Sequence, residues 1–244
     1  VVILGIILLT LLILPEDKRA FALIAAGAVL VVLQGIILWA NRGMITPYAQ
    51  AQRYYLAEDY ESARGTLEQL ATEGKPDFKT LTLLGNTYRQ LGLLDKSKET
   101  LTEALQIAPN HQFPLYGFGR TLLIAGEYAQ AVEVIQAALA AGAPPGIQVD
   151  LGEALVRIGE TAHNRDTAQN VLRSAASVVQ DDPPRALMVT YLRYQLGDST
   201  APDVDSISAG LAYWQATAER FRSTPYGVSL MQDVLALKRL TGDD

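Results

Sequence analysis

A spacing of 34 residues constrains this chain more than any other feature. The clearest unit runs from Phe78 to His111 and carries Leu84-Gly85, Tyr88, Gly92, Leu94, Ser97, Leu101, Ala104 and Pro109. The next, from Gln112 to Pro145, repeats that pattern with Phe118-Gly119, Leu122, Gly126, Tyr128, Ala131, Ile135, Ala138 and Leu139. Each position has a packing reason: a glycine or alanine lets two helices approach closely, an aromatic or aliphatic residue fills the next gap, and proline ends the second helix. A unit of this length cannot bury its apolar face alone. Stacked copies can, so the period predicts an all-α solenoid built from helix pairs.

The upstream stretch 44–77 keeps the register through Tyr54, Tyr60, Ala63, Leu67 and Leu70, with Ala51 in the glycine position and Glu58 at the turn. A fourth unit, 145–183, begins with Leu151-Gly152, Leu155 and Gly159, then needs about four inserted residues around 163–166 before Ala168, Leu172 and Ala175 resume the second helix. Beyond Pro183-Pro184, helices are predicted at about 185–196, 206–222 and 226–240, as degenerate repeats or a cap over the last apolar face. The Leu-Gly pair, the following aromatic, the turn glycine and the exit proline resemble the tetratricopeptide repeat family. The resemblance covers about 44–183, and 184–244 would be degenerate repeats or capping helices.

The N-terminal 43 residues differ in kind. Residues 21–40 form a run of 20 without a charge, enough at about 1.5 Å per residue to cross a hydrocarbon core of roughly 30 Å. Residues 1–14 are apolar apart from Thr10, and the two runs are predicted to form a transmembrane hairpin joined by a turn at 15–20. Trp39 and Arg42 sit where an interfacial aromatic and a snorkelling cation would mark the second end. Lys18 and Arg19 in the turn outweigh Arg42, so the turn is expected on the cytoplasmic side of a bacterial-type membrane, with residues 41–244 outside it.

Chemistry-bearing motifs are absent from the sequence. There are no cysteines, hence no thiolate nucleophile, disulfide or cysteine-ligated metal. His111 and His163 have no second ligand at useful spacing, and the first is expected to face solvent in the turn PNHQ. Gly117 to Gly119 reads GFG inside a helix with no preceding strand, which excludes a dinucleotide loop. Asp181-Asp182 before Pro183 marks a helix boundary rather than a metal site. The formal charge of −6 becomes −7 once the N-terminal 43 residues are set aside, which disfavours nonspecific nucleic-acid binding. No enzyme, metal or cofactor is expected.

What the family resemblance implies is protein recognition. In such arrays the first helix of each pair lines a concave groove. Carried onto this sequence, those positions are Tyr48, Gln52 and Tyr55, then Lys79, Asn86 and Arg89, then Phe113, Tyr116 and Arg120, and last Val149, Glu153 and Arg157. Four cations against one anion invert the charge of the whole, so the groove would suit an acidic or carboxylate-bearing partner. Two functional classes follow. One is a membrane-anchored adaptor that recruits a protein or peptide through this groove. The other is a structural subunit of a larger membrane complex, packing by its hairpin and bracing extramembrane subunits.

Overall fold

The computed structural model describes residues 15–41, 46–74, 76–159 and 162–242, and all regular structure among them is helical. The chain divides into two units, 1–46 and 47–244.

Within the first unit, α1 (Glu16–Asn41) is 26 residues long. Its stretch Asp17–Ile36 is long and apolar enough to cross a membrane, and Phe21, Ile24 and Val31 are exposed along it. The predicted turn at 15–20 is corrected here, because the helix begins at Glu16, with the Pro15 carbonyl accepting from the Lys18 amide at 3.0 Å. Asp17 in the first turn favours the early start, because an acidic side chain there complements the helix dipole, and Pro15 directly precedes the helix. The other half of the expected hairpin, 1–14, lies outside the described residues, as does Arg42.

The second unit is a succession of antiparallel helix pairs. They are α2 (Pro47–Leu56) with α3 (Tyr60–Glu73), α4 (Phe78–Gln90) with α5 (Leu94–Ile107), α6 (Gln112–Ala125) with α7 (Tyr128–Ala140), and α8 (Gln148–Ile158) with α9 (Ala162–Ala176). Three further helices follow: α10 (Pro183–Gln195), α11 (Val204–Arg220) and α12 (Pro225–Thr241). Short polar residues start many of them. The carboxylates of Asp59, Asp77, Asp182 and Asp203 accept amide hydrogens from Ser62, Thr80, Arg185 and Ser206, each three residues on. These caps, with Pro183 and Pro225 at the first helical positions, start α10, α11 and α12 one or two residues before the predicted bounds.

The 34-residue register has a steric basis. A Cβ on Gly85 would stand 2.5 Å from Leu101 Cγ, one on Gly119 2.6 Å from Ile135 Cγ1, and one on Gly152 2.5 Å from Leu172 Cδ2. In each case a first helix presses its glycine against the branched side chain at the centre of its partner. The turns between the paired helices need a left-handed residue: Gly92 (φ 75°) and Gly126 (φ 82°) supply it, and in the divergent first unit Glu58 takes the same conformation at φ 59°. The inserted residues 163–166 form no loop. They belong to α9, which begins six residues before Ala168, whereas α7 begins three before Ala131, so the insertion becomes roughly one extra helical turn.

Candidate protein-binding groove

The structure divides the expected groove into an open half and a covered half. Tyr48, Gln52, Lys79, Asn86, Phe113 and Tyr116 line one cavity of about 420 Å³, together with Thr82 and Leu83. Here α2, α4 and α6 present side chains from successive turns of three stacked first helices. Lys79 is exposed, and Phe113 is 53% exposed. Gln52 donates to the Tyr48 hydroxyl at 3.4 Å, which lends the wall a polar edge. Tyr55 does not line this cavity; its ring packs edge-on against Tyr60 at 5.4 Å.

Arg89 lies beneath the open half, only 6% exposed. Its Nη1 donates to Asn86 Oδ1 at 2.5 Å and to the Gly117 carbonyl at 3.3 Å, while its Nε has no partner. Both acceptors are neutral. Burial holds its pKa below the usual arginine value, and the Arg120 charge pushes in the same direction against Tyr55, Tyr116 and Asp150. A cation buried among uncharged acceptors is an unusual expense for a fold, since buried charges are normally paired.

The covered half corrects the expectation of four available cations. Arg120 Nη1 stands 3.2 Å from Asp150 Oδ1, and the Tyr116 hydroxyl donates to Asp150 Oδ2 at 2.8 Å. Arg185 joins this cluster by donating to the Tyr116 hydroxyl at 3.2 Å and the Gly146 carbonyl at 3.2 Å. Arg157 Nη2 meets Glu153 Oε1 at 2.7 Å and Asp233 Oδ2 at 3.0 Å, with the Tyr226 ring centroid 5.2 Å from its guanidinium carbon. Burial alone would lower both arginines. The carboxylates override it, Asp150 at Arg120 and Glu153 with Asp233 at Arg157, so both are held above their ordinary values. Glu153 is raised as well, which for a carboxyl disfavours the charged form: burial lifts it despite the Arg157 charge beside it. The carboxylates that Arg120 and Arg157 were expected to find in a partner come from the chain itself.

The cover is α12. Its side chains Tyr226, Leu230, Asp233, Val234 and Leu237 are all buried, at the spacing of one helical face. That face lies across the first helices: Asp233 also accepts from the Tyr191 hydroxyl at 3.3 Å and from Gln195 at 3.4 Å, both on α10. Pro225 packs against Gly126, where an added Cβ would stand 2.8 Å from the proline ring. At the end of α11, Arg220 donates to Gln90 at 3.0 Å and to Glu58 at 2.9 Å, and stands 5.4 Å from the Tyr60 ring. Val149 and Glu153, expected to face a ligand, are instead buried beneath this hairpin.

Sequence reasoning missed Asp150 and Asp233. Asp150 sits in the first turn of α8, where an acid reads as a helix-dipole complement on the surface. Asp233 did leave a signal, as the one acid within the apolar face of α12. His111 also departs from expectation. It caps α6, its Nδ1 accepting from the Phe113 amide at 3.3 Å, and its ring packs between Phe78 and Phe113 at 4.5 and 5.1 Å. Among the described residues no group of three or more His, Asp or Glu side chains is placed to hold a metal ion.

The family model for the tetratricopeptide repeat matches residues 78–111. Among solved structures, TTC0263, a thermophilic TPR protein in Thermus thermophilus, is 17% identical over 78% of this chain and 96% of its own, with a TM-score of 0.55. MamA 41-end from Desulfovibrio magneticus RS-1 is 20% identical over 79% of this chain and 93% of its own, with a TM-score of 0.52. A double mutant of MamA RS-1 matches at 20% identity over 83% of this chain and all of its own, with a TM-score of 0.51. No curated protein matches the sequence. At such identities the likeness is one of fold. The repeat at 78–111 and the array around it are of the tetratricopeptide type.

Proposed function

We propose, on the premise of a tetratricopeptide-repeat array, that this chain is a membrane-anchored adaptor that captures a carboxylate-bearing segment of a protein partner in the open half of its groove. The observation that carries this reading is Arg89, buried with neutral acceptors alone and bonded to Asn86, a wall residue of a cavity edged by exposed Lys79. A partner carboxylate reaching Asn86 would lie close enough to offset that charge, and the Tyr48, Phe113 and Tyr116 rings would take the apolar neighbours. Tyr55, packed on Tyr60, does not face the ligand. Arg120 and Arg157 are not offered to a protein partner in this groove, being paired with Asp150 and with Glu153 and Asp233 under the C-terminal hairpin.

The apolar stretch Asp17–Ile36 supports an anchor through one membrane-crossing helix. Lys18 and Arg19 at its N-terminal end favour a cytoplasmic position for that end, with the repeats on the far side.

Affinity capture from native membranes in mild detergent tests the adaptor reading. Reversing one groove charge with Lys79→Glu juxtaposes like charges with an acidic ligand, and partner recovery should fall about tenfold or more while the helical circular dichroism signal stays unchanged. Recovery at fixed stoichiometry that ignores both Lys79→Glu and Asn86→Ala would favour the second reading, a structural subunit held through other surfaces.

A further inference from the structure

A second cavity, distinct from the open groove, lies between the covered first helices and the C-terminal hairpin. It measures about 250 Å³ and is walled by residues of α6, α8, α10, α11 and α12. At roughly 30 Å³ of liquid volume per water molecule, that is room for about eight waters. The size suits a small metabolite and is too small for a peptide segment. Its mouth is marked by Tyr213, 58% exposed, and by exposed Asp182.

Four of the charged groups on the wall divide into two classes. Asp150 and Arg185 are fully engaged: the first accepts from Arg120 and Tyr116, and the second reaches Tyr116, Gly146 and Asp182. Arg120 and Glu153 are engaged on one side only. Both contacts of Arg120 use Nη1, and its buried Nε has no partner. Both bonds that Arg157 gives Glu153 fall on Oε1, although Glu153 is just 3% exposed. These two residues sit on adjacent first helices and bond other groups, not each other. One cavity therefore offers a guanidinium with unused donors and a carboxylate with an unused oxygen. Trp214, Met188, Leu230 and Tyr226 supply an apolar wall beside them.

A lone anion would meet three carboxylates on this wall, and a lone cation would meet two arginines. A zwitterion satisfies both. We propose that this cavity binds a free α-amino acid with a medium-sized apolar side chain, its carboxylate on Arg120, its ammonium group on Glu153 Oε2 and its side chain against Trp214 and Met188. Because the hairpin forms one side of the wall, the bound ligand would tie α11 and α12 to the first helices of the array.

Trp214 provides the readout, since the chain has two tryptophans and the other, Trp39, can be replaced by phenylalanine. The full chain carrying Trp39→Phe, in detergent, is titrated with each standard free L-amino acid to millimolar concentration while Trp214 emission is followed. A saturable change is expected with one or a few aliphatic or thioether amino acids. The N-acetyl and carboxamide derivatives of the best binder should each bind about tenfold more weakly or worse, because each removes one charge-assisted bond. Glu153→Gln should abolish the penalty for N-acetylation while leaving that for the carboxamide. If Glu153→Gln does not fold, the derivative series on the parent chain decides alone. No emission change with any amino acid, or equal binding of the blocked derivatives, would overturn the assignment.

Discussion

Replacing Asp233 by alanine is expected to destabilise the chain by about 3–5 kcal/mol, because removing one partner of a buried ion pair leaves the other charge uncompensated. Asp233 gathers three donors, Arg157 at 3.0 Å, Tyr191 at 3.3 Å and Gln195 at 3.4 Å, and it is buried on the face that α12 turns to the groove. Alanine would leave Arg157 with Glu153 alone, in a site too enclosed for water to substitute freely. The exposed pair Arg222 with Glu219 supplies the contrast: Glu219→Ala should change stability by no more than about 1 kcal/mol. Thermal and urea unfolding of the two variants, followed by circular dichroism, would measure the difference. Similar midpoints would mean that α12 does not lie in the groove as described.

The second large effect is expected at the helix crossings. Gly85→Leu places a branched side chain where even a single carbon would stand 2.5 Å from Leu101 Cγ, and Leu101 is fully buried. Overpacking of a filled core costs about 1–3 kcal/mol and sometimes more. The matched control is Gly65→Leu on α3, where an added carbon meets nothing within 4 Å. There the loss of a helical glycine should be neutral or stabilising, by up to about 1 kcal/mol. Opposite signs at two helical glycines given the same substitution would confirm the register; equal effects would refute it.

Much of the array was legible because repeats interact with their nearest neighbours, and the period reports those contacts directly. Gly85 against Leu101 and Gly119 against Ile135 fall 16 residues apart in both units, so the spacing itself identifies the crossing. The open half of the site was legible for the same reason: Tyr48, Lys79, Asn86 and Tyr116 lie on first helices of successive units and do meet in one cavity. The covered half was not. Arg157 and Asp233 are 76 residues apart, and Arg220 and Glu58 are 162 apart. No local pattern encodes where a tail will return, since that depends on the curvature accumulated over the whole stack. The start of α1 was misjudged because counting uncharged residues measures a hydrocarbon width, whereas the helix continues into its charged first turn.

The central claim is that the C-terminal hairpin lies over the first helices and leaves only the N-terminal half of the groove open. The absence of native cysteines allows a direct measurement. With Glu58→Cys and Arg220→Cys in one chain, at a contact of 2.9 Å between native side chains, a short bismaleimide should close the intervening loop within a single molecule. The product would be a monomer of altered gel mobility, formed in high yield at low protein concentration. Failure of this pair to link, while a Lys98→Cys and Glu127→Cys pair, joining α5 to the turn before α7 at 3.0 Å, links readily, would contradict the account.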